Sequence, residues 1–80
     1  MQERRGNSRR RVLKAGTIAF GQAGGFDCMV RNLSEKGACL EVESPVGIPD
    51  NFTLVVPQDA IMRPVHVQWR QAKRIGVLFD

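Results

Sequence analysis

The sequence contains few of the residues on which metal and redox chemistry depend. It has no tyrosine, a single histidine and two cysteines, Cys28 and Cys39, which do not form a CxxC pair. This set cannot build a zinc site of cysteine and histidine ligands, so we expect neither a metal nor a cofactor. Both cysteines lie in apolar, strand-like segments. The sequence therefore predicts buried, reduced thiols in a cytoplasmic protein rather than a disulfide.

Long apolar runs and catalytic motifs are also absent. No apolar segment approaches the roughly 20 residues that a membrane-spanning helix needs, and arginine rather than an apolar stretch follows the N-terminus. No nucleophile with a nearby base, paired-carboxylate motif or phosphate-binding loop can be recognised. We therefore expect a protein that does not interact with the membrane and that binds its ligand without catalysis.

Positive charge is concentrated at the N-terminus. Residues 1–14 carry six basic residues and one acidic residue, a net charge of +5, whereas the other 66 residues carry six basic and seven acidic residues, a net charge of −1. Most of the basic residues are arginines, whose guanidinium groups fit phosphate oxygens and the O6/N7 edge of guanine. Charge alone is equally compatible with a solvated basic tail and with an anion-binding arm.

The remainder of the sequence predicts short β-strands and little helix. Alternating or β-branched segments at residues 12–20, 26–32, 38–43, 52–56, 65–70 and 75–79 are separated by glycine, proline, asparagine and serine. Six strands in so short a chain favour an antiparallel barrel, because closure leaves no unprotected edge. The predicted fold is all-β: a small six-stranded antiparallel β-barrel over residues 12–80, preceded by a flexible arginine-rich arm over residues 1–11.

Two short motifs lie on this pattern. The arm contains an R-x-x-x-R motif, Arg5 to Arg9, and the second predicted strand ends in N-L-S-E-K-G, residues 32–37. With the segments V-Q-W-R and R-I-G-V-L-F, they make the whole chain resemble the PilZ domain family, bacterial receptors for the second messenger cyclic di-GMP. Each motif alone is weak, since Arg70 and Arg74 also satisfy the first and the second consists of common turn formers. Their order on a six-strand pattern carries the resemblance.

The resemblance implies a role for each motif residue. Arg5 and Arg9 would bind phosphates or guanine edges, Asn32 would pair with a guanine, and the Ser34 hydroxyl would contact a phosphate or a base amine. Gly37 would allow close approach of the backbone to the ligand, or a positive φ. The alternative for residues 32–37 is an ordinary β-turn without a ligand. Many members have aspartate where this chain has asparagine, a substitution that implies weaker binding.

Further residues are less certain candidates. An arginine before R-x-x-x-R, here Arg4, accompanies an intercalated pair of ligand molecules in this family. Arg10 is a lower-ranking candidate, and we expect at least one of Arg10 and Arg11 to be a solvated or rim residue. Trp69 shares a predicted strand face with Val65 and Val67, which favours the barrel core slightly over a ligand-facing position.

Two other expectations concern the end of the chain. His66, the only histidine, has no visible acidic partner, so an exposed strand histidine is expected. The C-terminal helix that many PilZ domains carry is not expected within these 80 residues.

The sequence leaves three functions open. The first is a cyclic di-GMP receptor whose arm orders on binding ligand and presents a new surface to an unknown partner protein. The second is a small barrel that binds RNA or single-stranded DNA through its arm. The scarcity of stacking aromatics and the nearly neutral body disfavour it. The third is an adaptor of the same fold that binds only protein.

Overall fold

The computed structural model describes residues 10–22 and 24–80 and confirms the all-β barrel. Its six strands are β1 (Arg10–Phe20), β2 (Gly24–Leu33), β3 (Gly37–Glu41), β4 (Asn51–Val56), β5 (Ile61–Gln71) and β6 (Arg74–Phe79). A single 3-10 turn, Pro57–Asp59, joins β4 to β5. Among residues 10–22 and 24–80, no helix has the length and apolarity needed to cross a membrane.

The strands close in the order β1-β2-β3-β6-β5-β4, and every neighbouring pair is antiparallel. The barrel closes between β1 and β4, where Thr17, Ile18 and Ala19 lie opposite Val55, Leu54 and Thr53. Over these residues, closure gives both strands a partner on each side. The chain between β3 and β4 contains two prolines, Pro45 and Pro49.

The core follows from the period of two along each strand. In β4, Phe52, Leu54 and Val56 are buried, whereas the residues between them are more exposed. The buried cluster is built from one class of residue, small to medium apolar side chains: Ile18, Cys28, Val30, Ala38, Leu40, Val42, Ile48, Phe52, Leu54, Val56, Val65, Ile75 and Val77. Cys28 and Cys39 are both buried and unpaired, which confirms the prediction of free thiols.

The first strand begins two residues earlier than predicted. Arg10 and Arg11 pair with Leu33 and Asn32 of β2, because the ladder between the first two strands continues past the apolar segment from which the strand was predicted. Arg11 is exposed, as expected for at least one of the two arginines.

Register shifts interrupt three of the strand pairs. Arg31 is the extra residue of β2 against β3, where Val30 lies opposite Leu40 and Asn32 lies opposite Cys39. A similar shift occurs in the β1–β2 ladder between Arg11 and Lys14. The third lies between Val67 and Trp69 of β5, against consecutive residues of β6. Such bulges change which face of the sheet the following side chains occupy.

Candidate functional site

A row of residues crosses the outer face of four neighbouring strands. Asn32 of β2 lies opposite Cys39 of β3, Cys39 lies opposite Gly76 of β6, and Gly76 lies opposite Trp69 of β5. Side chains that lie opposite each other in antiparallel strands share a face of the sheet. With about 4.8 Å between strands, the row measures about 14 Å from Asn32 to Trp69 along the curved sheet.

A shallow pocket of about 150 Å³ lies along this row. It brings together Asn32, Ser34, Gly37 and Trp69, four residues that sequence reasoning selected from two distant segments. The remaining lining residues come from the same turn and strands: Lys36, Ala38, Cys39, Gln68, Gly76, Val77 and Leu78. Pockets that enclose a small molecule usually measure roughly 300–1,000 Å³, so this one can hold only part of a larger ligand.

Trp69 forms one wall of the pocket and is not a core residue. Its side chain is 38% exposed, and the expectation that it packs with Val65 and Val67 is wrong. The bulge at Gln68 inserts one residue after Val67 and moves the indole to the outer face. The ring then lies against the backbone of β6 at Gly76, where a Cβ atom would overlap the indole. Gly76 thus gives Trp69 its position.

Ser34 organises the turn between β2 and β3. Its backbone N–H donates to the Gly37 carbonyl at 2.9 Å, and its hydroxyl oxygen accepts from the N–H groups of Lys36 and Gly37, each at 3.2 Å. The Lys36 carbonyl accepts from the Phe79 N–H at 2.8 Å, which ties the turn to β6. Among the described residues, the hydroxyl proton has one acceptor, the Gly37 carbonyl oxygen. The two oxygens are 3.4 Å apart, so this hydrogen bond is weak. Ser34 therefore holds the turn and retains a proton to donate.

Gly37 serves packing within the barrel. Of the two roles predicted for this glycine, a positive φ is not observed, and the approach of the backbone to a ligand stays a prediction. A Cβ atom at this position would overlap the Val77 carbonyl oxygen and meet the Leu78 Cα at 3.0 Å. The close approach that requires glycine is thus between β3 and β6. It brings the turn and the Trp69 wall into one pocket.

Asn32 is the polar side chain best placed to meet a ligand. It is partly buried at the pocket wall, and its amide has no hydrogen-bond partner among the described residues. An amide in this state offers a carbonyl acceptor and two N–H donors. That combination matches a nucleobase edge or a hydrated polar ligand.

The predicted arginines Arg4, Arg5 and Arg9 lie outside the described residues, as does the side chain of Arg10. The register still fixes where the chain enters the barrel. The backbone of Arg10 pairs with Leu33, between Asn32 and Ser34. The described chain therefore begins beside the pocket.

The second R-x-x-x-R match does not belong to this site. The Arg70 guanidinium donates to the Asp50 carboxylate at 2.7 Å and to the Pro45 carbonyl at 3.2 Å. It thereby ties β5 to the loop before β4. His66 has an acidic partner after all, since its Nδ1 lies 2.6 Å from the Asp80 carboxylate. The sequence did not reveal this pair because it depends on the register of β5 against β6.

Sequence reasoning missed several lining residues, chiefly Lys36, Cys39, Gln68 and Gly76. Only Gly76 carried a usable signal, since a glycine inside an apolar strand often marks a close approach by another group. Elsewhere, burial and the adjacent Asp27 raise the pKa of Cys28 to about 11, so this core thiol stays protonated. Across residues 10–22 and 24–80, no cluster of histidine, cysteine and acidic residues is suited to a metal ion.

Comparison with family models matches nearly the whole chain. A search of curated proteins found no relative of this chain. The family model described as the PilZ domain matches residues 3–80, which is nearly the whole chain and includes both motifs.

Proposed function

Since the chain belongs to the PilZ domain family, whose domains generally bind cyclic di-GMP, we propose that it is a receptor for this dinucleotide. The observation that best supports this proposal is the convergence of Asn32, Ser34 and Trp69 on one pocket, beside the point where the arm enters the barrel. Cyclic di-GMP offers two guanine bases and two phosphates. An amide, a hydroxyl and an indole are suited to the bases, and the arginines are suited to the phosphates.

The pocket supplies the rigid half of the proposed site. The amide of Asn32 hydrogen-bonds to the edge of a guanine, and the Ser34 hydroxyl donates its weakly held proton to a phosphate or base oxygen. The exposed face of the Trp69 indole stacks on a base. Gly37 acts indirectly, by allowing β3 to approach β6 closely. The pocket is too small for the whole dinucleotide, so a second element has to cover it.

The arginine-rich arm supplies that second element. Arg5 and Arg9 bind the phosphates or the guanine O6/N7 edges, and the arm orders over the ligand. Arg4 adds a third guanidinium, which favours an intercalated pair of ligands because two stacked dinucleotides carry four phosphates. Arg10 remains a lower-ranking candidate. The ordered arm presents a new surface to a partner protein in the cytoplasm, where reduced thiols such as Cys28 and Cys39 persist.

Calorimetric titration of the chain with cyclic di-GMP tests the proposal. We expect binding at micromolar ligand, and replacing Arg5 or Arg9 by alanine should cost more than about 1.5 kcal/mol of binding free energy, the value of a charge-assisted hydrogen bond. Lys73→Ala is the matched control, because it removes one exposed positive charge from the β5–β6 turn, away from the pocket. Absence of binding at tens of micromolar ligand would refute the receptor function.

The same titration examines stoichiometry and the alternative ligands. Arg4→Ala should reduce the ratio from two ligands per chain to one if Arg4 stabilises an intercalated pair. Mixed-sequence RNA and single-stranded DNA oligonucleotides, titrated at two salt concentrations, should bind much more weakly than cyclic di-GMP. Equal or tighter binding of the oligonucleotides would favour the nucleic-acid function instead.

A further inference from the structure

The row of residues beneath the pocket continues onto β1, where its next member is Arg11. Arg11 lies directly opposite Asn32 in the β1–β2 register, just as Asn32 lies opposite Cys39 in the next pair. Opposite residues of antiparallel strands carry their side chains on the same face, with Cβ atoms about 5 Å apart. Arg11 therefore stands beside Asn32 and ends the row about 19 Å from Trp69 along the curved sheet, at about 4.8 Å per strand.

The charge of Arg11 is not balanced by the part of the barrel that the structure describes. Its side chain is exposed, and it enters none of the ion pairs found among the described residues. Three other cations of the barrel are paired, Lys14 with Asp59, Arg31 with Glu41 and Arg70 with Asp50, whereas Lys36, Arg63, Lys73 and Arg74 share with Arg11 the lack of an ion pair among the described residues. The row itself contains no acidic residue. The edge of the pocket next to Asn32 is thus positive, and it attracts an anionic ligand.

We propose that Arg11 is a further ligand-binding residue and the fixed anchor of this site. This inference rests on the proposed function. Arg11 holds a phosphate of cyclic di-GMP against the barrel while the base meets Asn32, before Arg5 and Arg9 engage. Its backbone already belongs to the β1–β2 ladder, so using it costs no ordering of the main chain. A cation fixed at the rim accelerates encounter with an anion.

Stopped-flow binding of cyclic di-GMP to the full chain tests this role. Trp69 is the only tryptophan and lies in the pocket, so its fluorescence follows the reaction, while calorimetry gives Kd independently. Arg11→Ala should slow association at least about threefold, weaken its dependence on salt and raise Kd about tenfold. Arg11→Lys should keep the salt dependence and lose part of the affinity, because an ammonium carries the charge without the planar fork.

Two controls make the outcomes distinct. Lys73→Ala should stay within about twofold of the parent chain in both association rate and Kd, since salt screens a charge that lies away from the pocket. If Arg11→Ala behaves like Lys73→Ala while the parent chain binds, the anchor role is wrong and the receptor function stands. If the parent chain itself does not bind, the receptor function fails. Circular dichroism checks folding, and Arg11→Gln, which keeps the aliphatic stem, replaces a misfolded alanine variant under the same criteria.

Discussion

Gly76 and Trp69 show how a missing side chain can shape a binding surface. The indole lies on the β6 backbone only because position 76 carries no Cβ. The indole in turn forms the wall opposite Asn32, so a change at Gly76 should act on ligand binding through Trp69.

We expect Gly76→Ala to displace the indole, to lower the free energy of unfolding by about 1–3 kcal/mol and to weaken cyclic di-GMP binding. Trp69 emission and calorimetry measure the two effects. Gly25→Ala is the matched control, because a Cβ there meets only ordinary contacts, the nearest at 3.4 Å. If Gly76 acts through Trp69, the binding losses of Gly76→Ala and Trp69→Ala should not add in the double variant. Additive losses would contradict this coupling.

Cys28 gives stability a dependence on alkaline pH. Burial, with the adjacent Asp27, raises its pKa from 9.0 to about 11 in the folded chain. Between these values the unfolded chain loses the proton while the folded chain keeps it, so its contribution to stability is complete below pH 9 and declines as pH rises to about 11.

The free energy of unfolding, measured with urea, should therefore fall by about 1–2 kcal/mol more for the parent chain than for Cys28→Ala across this pH range. Comparison with Cys28→Ala isolates the thiol, because both chains share every other group that titrates at alkaline pH. Parallel pH profiles for the two chains would show that Cys28 is not the cause.

Among the elements, the 3-10 turn after β4 is followed by the one non-glycine residue with a positive φ in the part of the chain that the structure describes. Ala60 follows the turn with φ of 55° and ψ of 36°, and its N–H donates to the Pro57 carbonyl at 3.0 Å. The left-handed conformation costs an L-residue roughly 1 kcal/mol, whereas glycine adopts it freely.

Ala60→Gly should therefore stabilise the barrel by about 0.5–1 kcal/mol, measured by urea or thermal unfolding. The control is Ala15→Gly, an exposed position inside β1, where the same change in chemistry should be destabilising. Destabilisation by Ala60→Gly would mean that the added freedom of the unfolded chain outweighs the relief of strain.

The bulges explain which parts of the site could be predicted. Val65 and Val67 follow the simple alternation from which their strand was predicted, but Trp69 does not, because Gln68 is an extra residue. A bulge is stabilised by contacts with the neighbouring strand. Here the indole fills the space above Gly76, a residue of another strand that the local pattern around Trp69 does not include. Local periodicity thus predicted the strand but assigned the indole to the wrong face.

At the scale of the whole molecule, we expect the barrel to determine stability and the arm to contribute to ligand binding. Every member of the core cluster that the structure describes lies between Ile18 and Val77. The proposed ligand carries two phosphates, whereas the described residues in and beside the pocket include two cations, Lys36 and the adjacent Arg11.

Deletion of residues 2–9 should leave the thermal unfolding midpoint within a few degrees of the parent value. In a domain of this size, a change of about 1 kcal/mol in the free energy of unfolding moves the midpoint by about 4–8 °C. Binding of cyclic di-GMP should fall by at least about a hundredfold, since two charge-assisted contacts are lost. Scanning calorimetry and titration calorimetry measure the two quantities. Unchanged affinity would show that the arm does not cover the ligand.

The sequence by itself determined the fold class, the six strands and the motif residues. These depend on short-range signals: alternation of apolar residues, turn formers, and arginines whose chemistry is the same in any fold. Asn32, Ser34 and Gly37 were selected through the resemblance to the PilZ family, because their motif alone consists of common turn formers. The charge of the arm follows from its composition.

Only the tertiary structure decided how distant residues meet. The register of four strand pairs sets Arg11, Asn32, Cys39, Gly76 and Trp69 in one row, and a shift of one residue in any pair would break it. Register also decides the partners of His66 and Arg70 and the close contact between β3 and β6 that requires glycine at position 37. Register results from packing the whole core at once, so no local pattern in the sequence contains it.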